Sequence, residues 1–599
     1  MKQYWDCSLC RIEDKGSALR CRRCFGKLRG RERLLHEIGR RRKTQPRAAL
    51  LSAFAAGAGQ MLAGRWSTGI ALAVLLPLAI GLVVAGWDGF SYGHAFLAGA
   101  AVFVLLLAYL DARIGPRRKR APCQDACPAG IAIPDYLQLL FEEDYEQGCS
   151  LIRNRLPLVG VIGRICPHPC EAACLRGIDG EPISINGCKR YLADQQSDRY
   201  RDPVDRRLDV VDLRGGILNV GVVGSGPAGL ACAYYLSVLG ASVKVYEADE
   251  MIGGRLATTI PDFRLPPYIL EEELETLREI GVTFVTNSPV GPGGLGVEEL
   301  QRGHDALFLA VGAQCGVESQ VPGGGARMDF QALLRAVKLG EDVDLGRRVI
   351  VIGGGNAAMD VSRTALRRGA EEVHLLYRRD RDQMPARHEE VEEALREGVQ
   401  MHFLCDLSEV RSESGRVSGV RVQRMTLGDP DASGRPRPVP LAGQFEDLDG
   451  DAVIPALGQT VGGALFDDPG LAGLRREADG RVWVDPATQA TSLAGIYAGG
   501  DTVSGAATAV RAMAQGRRAA LAIFGDLAPG EVPASRLVDR LLRKPFPGHQ
   551  ETPQAKIREE MPQLSLQARN GSFQEVDEGY REACARREAG RCLQCHREL

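Results

Sequence analysis

A glycine-rich turn that could hold a nucleotide lies near the middle of the chain. A predicted strand over 218–223 leads into Gly224, Gly226 and Gly229, followed by a predicted helix, a second strand over 242–246 and an acid. In such a βαβ unit the first glycine forms the tight turn, the second admits a pyrophosphate, and the third lets the helix pack on the strand; the acid binds a ribose hydroxyl. A tight turn without a ligand is the alternative. The predicted dinucleotide contacts are Gly224, Ser225, Gly226, Pro227, Ala228, Gly229 and Glu247.

A second motif of the same kind begins after a predicted strand over 348–352. It has glycines in the first two positions and alanine in the third, and the next predicted strand, over 372–377, ends in two arginines instead of an acid. Guanidinium groups suit a 2′-phosphate, and the missing carboxylate removes a repulsion, so the pattern favours NADPH over NADH. An exposed basic turn is the alternative. The predicted contacts are Gly353, Gly355, Asn356, Ala357, Arg378 and Arg379.

Most of the 17 cysteines stand in close-spaced groups. Clustered thiols in a chain with cytosolic-type nucleotide motifs point to metal rather than to disulfides, and they place the bulk of the chain in a reducing cytoplasm. Near the N-terminus, two CxxC pairs can close one tetrahedral site, for which zinc is the first choice. A rubredoxin-like iron site and four unrelated thiols are the alternatives. The predicted ligands are Cys7, Cys10, Cys21 and Cys24.

Two long apolar stretches follow a basic linker. Residues 68–86 are uncharged and long enough to span a bilayer, and residues 93–110 carry only His94 as a possible charge. Clusters of Lys and Arg flank both ends, so the positive-inside rule predicts a transmembrane hairpin in the cytoplasmic membrane, a multi-pass protein with its catalytic domains on the cytoplasmic side. Residues 48–64 are predicted to be interfacial or re-entrant. A buried soluble hairpin is the alternative.

The elements that must position these residues can be read from the hydrophobic pattern. Residues 121–205 are predicted to be helical, and apolar strand runs alternate with amphipathic helices over 216–530, the pattern of doubly wound α/β sheets. A polar tail, 531–599, ends in a CxxC pair. The length of 599 residues requires several domains, and the net charge of -2 argues against nucleic-acid binding.

Five short stretches make the chain similar to the small (beta) subunit of bacterial glutamate synthase and to the N-terminal half of dihydropyrimidine dehydrogenase. They are 260–266 (IPDFRLP), 353–360 (GGGNAAMD), 377–379 (YRR), 384–386 (MPA) and 499–501 (GGD). The resemblance covers about 121–530 and the tail. It implies an NAD(P)H-dependent FAD oxidoreductase whose NADPH domain is inserted into its FAD domain. We add Arg255, Gly500 and Asp501 to the predicted flavin contacts, with Asp501 at the ribityl chain by resemblance.

The resemblance also implies two 4Fe–4S clusters in the helical region. This chain lacks the CxxC pair that precedes the C-x3-C-P motif in the relatives, but its residues 588–595 read Glu-Ala-Gly-Arg-Cys-Leu-Gln-Cys, the same stretch moved to the far end. We therefore predict that the tail folds back and supplies the missing pair. A tail pair that binds zinc or a partner, which leaves one cluster, is the alternative. By the family pattern one cluster uses Cys592, Cys595, Cys123 and Cys174, and the other uses Cys127, Cys166, Cys170 and Cys188.

The predicted function is that of a membrane-anchored oxidoreductase. NADPH reduces FAD, the clusters receive the electrons, and a protein or quinone that the sequence does not identify accepts them. The alternative is a partner-recruiting or regulatory flavoprotein whose knuckle and hairpin scaffold another redox protein; intact glycines in both motifs favour the enzyme. The predicted domains are a zinc-ribbon-like four-cysteine knuckle (1–26), a basic linker (27–47), a membrane segment (48–112), a helical iron–sulfur domain (113–215), an FAD domain (216–325 with 455–530), an NADPH domain (326–454) and the C-terminal tail (531–599).

Overall fold

A computed structural model describes residues 120–195, 218–316, 328–431, 434–527 and 556–595, together with the backbone of two short strands near the N-terminus. These strands, β1 (Trp5–Asp6) and β2 (Glu13–Asp14), pair antiparallel. They belong to a compact unit made of Met1–Ala121 and Gln594–Leu599, and the second compact unit is Pro122–Leu593.

The N-terminal predictions fall outside the described part of the chain. This holds for the knuckle ligands Cys7, Cys10, Cys21 and Cys24 and for the predicted spans 68–86 and 93–110. Among the residues that are described, no helix has both the length and the apolar character needed to cross a membrane.

The segment 120–195 is helical, as predicted. Pro134 stands in the first turn of one helix, where its missing N–H breaks no hydrogen bond, and Asp144 caps the next by accepting from the Gln147 N–H at 3.2 Å. Apolar side chains at helical spacing, among them Leu137 and Leu140, are fully buried between the helices. The helices are α1 (Pro122–Ala126), α2 (Ile133–Phe141), α3 (Tyr145–Arg153), α4 (Val159–Ile165), α5 (Pro169–Ala172) and α6 (Ile185–Asp194), with a 3-10 turn at Leu175–Ile178.

Strands and helices alternate over most of the next part of the chain. The strands are β3 (Asn219–Val223), β4 (Ser242–Tyr246), β5 (Val282–Val285), β6 (Ala306–Leu309), β7 (Cys315–Gly316), β8 (Arg348–Ile352), β9 (Glu372–Tyr377), β10 (Gln400–Phe403), β11 (Cys405–Glu413), β12 (Arg416–Pro430), β13 (Pro436–Asp449), β14 (Ala452–Pro455), β15 (Gln459–Thr460) and β16 (Ile496–Ala498). The helices are α7 (Pro227–Val238), α8 (Arg255–Thr258), α9 (Pro267–Glu279), α10 (Val297–Gly303), α11 (Phe330–Lys338), α12 (Asn356–Arg367), α13 (His388–Arg396), α14 (Asp501–Ser504) and α15 (Ala509–Leu527).

Two parallel sheets organise this part. The first has the order β16-β6-β3-β4-β5 and the second the order β10-β9-β8-β14. Helix α7 is buried along most of its length because it packs between the first sheet and α15. The chain passes from β6 into the second sheet and returns to the first only at β16, so the second sheet is an insertion in the chain of the first.

A long antiparallel sheet, β11-β12-β13, follows β10. The sequence pattern predicted only alternating strands and helices here, so this sheet is a correction. Its first hairpin turns through Ser414 and Gly415, which both have positive φ (51° and 79°), as a two-residue type I′ turn requires. Buried Val410, Val420 and Val422 pack this sheet against the second parallel sheet.

The tail contains two further described helices, α16 (Leu566–Arg569) and α17 (Glu582–Gly590). Helix α17 packs against α2 and α6 of the helical segment, although the sequence places it almost 400 residues later. The tail therefore belongs in space to the start of this compact unit.

Candidate active site

The first glycine turn has the geometry that a bound pyrophosphate needs. Gly224 has a φ of 97°, and a Cβ there would lie 2.6 Å from the carbonyl oxygen of Ala310. A Cβ on Gly229 would collide with the carbonyl oxygen of Gly224, so these two positions require glycine for the fold. Gly226, by contrast, has no atom within 4 Å of the Cβ position, and it is the residue before α7. Its open side leaves room for phosphates at the positive end of that helix.

Glu247 stands where the ribose-binding acid was predicted, at the end of β4. One carboxylate oxygen accepts from the Ser225 N–H at 2.9 Å and from the Ser225 hydroxyl at 2.5 Å, and the other accepts from the Asp249 N–H at 3.0 Å. These bonds hold the carboxylate beside the glycine turn and along the wall of the adjoining cleft.

Arg255 and Asp501 line the same cleft from two other elements. The Arg255 guanidinium donates to the carbonyl oxygen of Ala313, and Asp501 accepts from the Ala507 N–H at 3.1 Å. Burial lowers the pKa of Arg255 and raises that of Asp501, while the attraction between the two charges opposes both shifts. Gly500 has a φ of 71°, and its N–H donates to the Gln515 side chain at 2.7 Å, which fixes the backbone before Asp501.

The second glycine turn repeats the first. A Cβ on Gly353 would collide with the carbonyl oxygen of Ala456, whereas Gly355 faces open space before α12. Asn356, the first residue of α12, accepts through Oδ1 from the Arg387 N–H at 2.9 Å. Asn356 also lines the cleft that Gly226 and Asp501 border.

The two predicted 2′-phosphate residues have different surroundings. Arg379 is buried: its Nε donates to the carbonyl oxygen of Pro436 at 2.8 Å, and its Nη2 pairs with Asp431 at 2.7 Å. Arg378 is exposed at the end of β9. The β12–β13 connection thus engages one guanidinium and leaves the other facing solvent.

The cleft has a volume of about 1000 Å³, and three of the regions that line it carry predicted site residues or their neighbours. Its walls come from the first glycine turn with Glu247 and Asp501, from Asn356 and Asp360 of the inserted domain, and from the helical segment. The helical contribution is Ile165 and Pro167, the two neighbours of Cys166. A dinucleotide-sized space therefore adjoins both glycine motifs and a predicted cluster ligand.

Five of the six predicted cluster thiols of the helical segment lie in helices or directly after them. Cys123 lies in α1, Cys127 directly after it, Cys166 at the end of α4, Cys170 in α5 and Cys188 in α6. Burial raises the pKa of the Cys170 thiol; Lys189 opposes this shift, and charges on Glu171, Cys166 and Cys127 add to it.

One buried side chain lies among these thiols. Burial raises the pKa of the Tyr136 phenol, and charges on Cys170, Cys188, Cys123 and Cys127 contribute to the rise. Iron takes the place of the thiol proton when a cluster binds, so buried thiols supplied by several helices are the ligands that an iron–sulfur site needs.

No three potential ligands within the described ranges lie close enough to hold a single metal ion. This spacing does not conflict with a 4Fe–4S cluster, because its four thiolates bind four different irons. Three predicted cluster ligands remain: Cys174 follows α5 and is half-buried, Cys592, two residues after α17, is buried, and Cys595 is half-buried.

Comparison with known proteins places these features in a family. Residues 218–516 match the pyridine nucleotide-disulphide oxidoreductase family, and residues 115–200 match the 4Fe-4S cluster domain II of dihydropyrimidine dehydrogenase. Over 419 residues the chain is 35% identical to the glutamate synthase (NADPH) small chain of Azospirillum brasilense, covering 66% of this chain and 84% of the relative. This chain belongs to the glutamate synthase small-chain family.

Two further relatives are beta subunits. The chain is 40% identical over 511 residues to the NADP(+)-dependent formate dehydrogenase subunit beta of Moorella thermoacetica, covering 80% of this chain and 71% of the relative. It is 36% identical over 516 residues to the NADPH-Fe(3+) oxidoreductase subunit beta of Geobacter sulfurreducens, covering 80% and 75%. The resemblance read from the sequence is therefore confirmed, and this member of the glutamate synthase small-chain family is an NAD(P)H-dependent FAD oxidoreductase with a 4Fe–4S domain.

The sequence did not reveal every residue that shapes this site. Asp360 and Arg387 lie in or beside stretches that carried the resemblance, but nothing in their spacing showed that Asp360 borders the flavin cleft or that Arg387 reaches Cys166. Glu588 is fully buried. The sequence feature that could have identified it is its position at the start of the stretch 588–595, which contains the tail CxxC pair.

Proposed function

We propose that this chain oxidises NADPH and delivers the electrons through FAD and 4Fe–4S clusters to an acceptor protein. The observation that carries the proposal is the single cleft that adjoins the FAD-type glycine turn, the NADPH-type turn at Asn356 and the neighbours of Cys166. Bound FAD supplies the change from hydride transfer to single-electron transfer. No side-chain acid or base is needed, so the chain's own residues bind, orient and separate the reacting groups.

The roles of the binding residues follow from their positions. Gly226 and the N-terminus of α7 would receive the flavin pyrophosphate, and Glu247 the ribose of the same nucleotide. Asp501 lies at the start of α14, opposite Arg255, where it would contact the ribityl chain. Gly355 and the N-terminus of α12 would receive the pyrophosphate of NADPH, and Arg378 its 2′-phosphate.

We also propose that the tail supplies cluster ligands. Its support is the attachment of α17 to the helical segment through Glu588, which accepts from the Ser184 N–H at 2.7 Å and from the Glu559 N–H at 2.9 Å. Arg591 pairs with Glu588 at 2.7 Å and donates to the carbonyl oxygen of Glu181 at 2.6 Å. These buried, charge-assisted bonds fix the backbone directly before Cys592.

The environment of Cys188 supports a position of Cys592 near the other thiols. Burial raises the pKa of Cys188, and charges on Glu588, Glu171 and Cys592 raise it further. Assignment of Cys592 and Cys595 with Cys123 and Cys174, and of Cys127, Cys166 and Cys170 with Cys188, rests on the family pattern. Anaerobic protein should carry about eight irons. Removal of residues 590–599 should lose about half of them with FAD retained, and unchanged iron would contradict the tail's role.

The acceptor is proposed to be a partner subunit, because two relatives are beta subunits by name. Anchoring at the cytoplasmic membrane through 68–86 and 93–110, and zinc at Cys7, Cys10, Cys21 and Cys24, remain proposals that the sequence alone supports. Deletion of 48–112 should release an active flavoprotein from pelleted membranes. Full-length chain found in the supernatant would contradict the anchor.

The central test is NADPH oxidation with an artificial dye as acceptor. The purified chain should contain FAD and iron and should reduce the dye with NADPH in preference to NADH. A protein that binds FAD but does not oxidise NADPH would instead support the regulatory alternative. Purification from gently solubilised cells, followed by identification of bound chains, tests for the partner subunit.

A further inference from the structure

A single arginine joins the nicotinamide-side motif to a cluster ligand. Arg387 is the residue before α13, in a loop that is fastened to the second glycine turn. The Ala386 N–H donates to the carbonyl oxygen of Gly354 at 3.0 Å, and the Arg387 N–H donates to Asn356 Oδ1 at 2.9 Å. The backbone of Arg387 is therefore held by two residues of the second glycine turn, Gly354 and Asn356.

The side chain of Arg387 extends to the helical segment. Its Nη1 donates to the carbonyl oxygen of Cys166 at 3.0 Å, a contact between residues 221 positions apart. Cys166 ends α4, and its sulfur accepts from the His168 N–H at 3.4 Å. Arg387 thus contacts Asn356 through its backbone N–H, and it contacts the carbonyl oxygen of Cys166, a predicted cluster ligand, through its guanidinium group.

A buried carboxylate fixes this arginine. Arg387 Nη2 pairs with Glu390, which also accepts from Arg264 Nε at 3.0 Å and from Arg363 Nη1 at 2.9 Å. Burial raises the pKa of Glu390, but the cations of Arg264, Arg387 and Arg363 outweigh this effect and lower it to about 2. Glu390 stays ionised at neutral pH, so its ion pair holds the Arg387 guanidinium in place beside the Cys166 carbonyl oxygen.

We propose that Arg387 is a positioning residue that makes the potential of the cluster bound by Cys166 respond to occupancy of the NADP(H) site. A hydrogen-bonded cation beside a cluster ligand favours the reduced cluster, which carries one more negative charge. A nucleotide that contacts Asn356 changes the hydrogen bond to the Arg387 N–H, and through it the position of the guanidinium at Cys166. The inference rests on the proposed function.

Thermodynamic linkage gives the proposal a second consequence. If NADP+ changes the cluster potential, reduction of the cluster must change NADP+ affinity by the same factor. Electron arrival at the cluster and release of the oxidised nucleotide would then be coupled through Asn356, Arg387 and Cys166.

The test is a redox titration of the full-length holoprotein, followed by the EPR signal of the reduced cluster. Cys166→Ser identifies the signal that belongs to this cluster. Arg387→Met should shift the midpoint potential of this cluster to more negative values and abolish the shift caused by NADP+. Arg387→Lys keeps a cation at this position, so its cluster potential should lie between those of Arg387→Met and the unmodified chain. The matched control is Arg396→Met in α13, the helix that follows Arg387. Arg396 is a 60% exposed cation paired with Glu393, so its loss should leave the cluster potential and the response to NADP+ unchanged.

The outcomes separate the two proposals. Equal potentials in Arg387→Met and the unmodified chain, or an intact response to NADP+, would overturn the role of Arg387. Absence of any cluster signal from the unmodified, iron-loaded chain would instead overturn the proposed function. Flavin content and thermal unfolding of each variant show whether Arg387→Met is folded, and Arg387→Lys carries the test if it is not.

Discussion

The two nucleotide-binding halves share one scaffold and differ at the end of one strand. In each half, one glycine is required by the geometry of the turn (Gly224 or Gly353). Another glycine faces open space (Gly226 or Gly355). In the first half the next strand ends in Glu247, which bonds back to the turn. In the second half the strand is followed by two arginines. One of them, Arg379, binds Asp431 and the carbonyl oxygen of Pro436 in the β12–β13 connection. The proposed phosphate sites thus have the same turn geometry in both halves, and the difference lies in the residues after the second strand.

The halves are joined by a buried ion pair that belongs to neither motif alone. Arg264 of the first half donates to both oxygens of Asp360 in α12 of the second half, each at 2.7 Å. The tail contacts both halves: Arg367 of the second half donates to the carbonyl oxygen of Ser572 at 3.0 Å, and the Val576 N–H donates to the carbonyl oxygen of Phe263 at 3.0 Å. Four predictions break or sharpen the comparison between the halves.

The largest effect is expected from the two open glycines. Gly226→Val should abolish FAD binding, because the new side chain fills the phosphate space while its extended backbone (φ -65°, ψ 178°) accepts valine. Gly355→Val (φ -92°, ψ 174°) should retain FAD and lose reduction by NADPH. Flavin absorbance and stopped-flow reduction measure both. If both variants lose the same cofactor, the assignment of the halves is wrong.

The contact between the halves is expected to contribute strongly to stability. Arg264→Met leaves Asp360 and Glu390 buried with one cation fewer, a change that costs about 3–5 kcal/mol in buried pairs. The free energy of unfolding from denaturant titration, or the midpoint temperature, should fall accordingly. Arg347→Met is the control: it removes a salt bridge to Glu371 whose side chains are 76% and 56% exposed, and it should change nothing measurable.

The third prediction separates the two arginines of the second half. Arg378→Ala should raise the KM for NADPH by about 10- to 100-fold, because a charge-assisted phosphate contact contributes about 1.5–3 kcal/mol, and should leave the KM for NADH unchanged. Arg379→Ala should keep the preference for NADPH and loosen the β12–β13 connection, seen as faster proteolysis. If Arg379→Ala raised the KM for NADPH and Arg378→Ala did not, Arg379 would have to leave Asp431 when NADPH binds.

The smallest effect is expected in the pH dependence of stability that arises from Glu390, a carboxylate of the second half. The pKa of Glu390 is lowered to about 2 in the folded chain, against about 4.3 in the unfolded chain. A lowered pKa stabilises the fold fully above the unfolded value, and the stabilisation is lost as pH falls toward 2. The midpoint temperature of unfolding should therefore drop between about pH 5 and pH 3, and Glu390→Gln should show a shallower drop. An identical slope in both proteins would contradict a role for this carboxylate.

Local sequence was sufficient wherever a structure depends on neighbours in the chain. Strands β8 and β9 begin and end at the residues that the apolar runs predicted, because a buried parallel strand needs a short continuous apolar segment. The helix predicted after the first glycine turn is α7, and it already begins at Pro227, because proline fits the first helical turn. The antiparallel sheet of 405–449 was missed because its exposed strands lack a continuous apolar run.

The sequence by itself determined the two glycine turns and the family, because each depends on residue types at fixed short spacing. Only the tertiary structure decided that Arg379 is engaged by Asp431, that Arg387 reaches Cys166 and that α17 lies against α2 and α6. These contacts join residues that are tens to hundreds of positions apart. Their partners are set by how whole helices and sheets pack, and that packing leaves no periodic pattern in the chain.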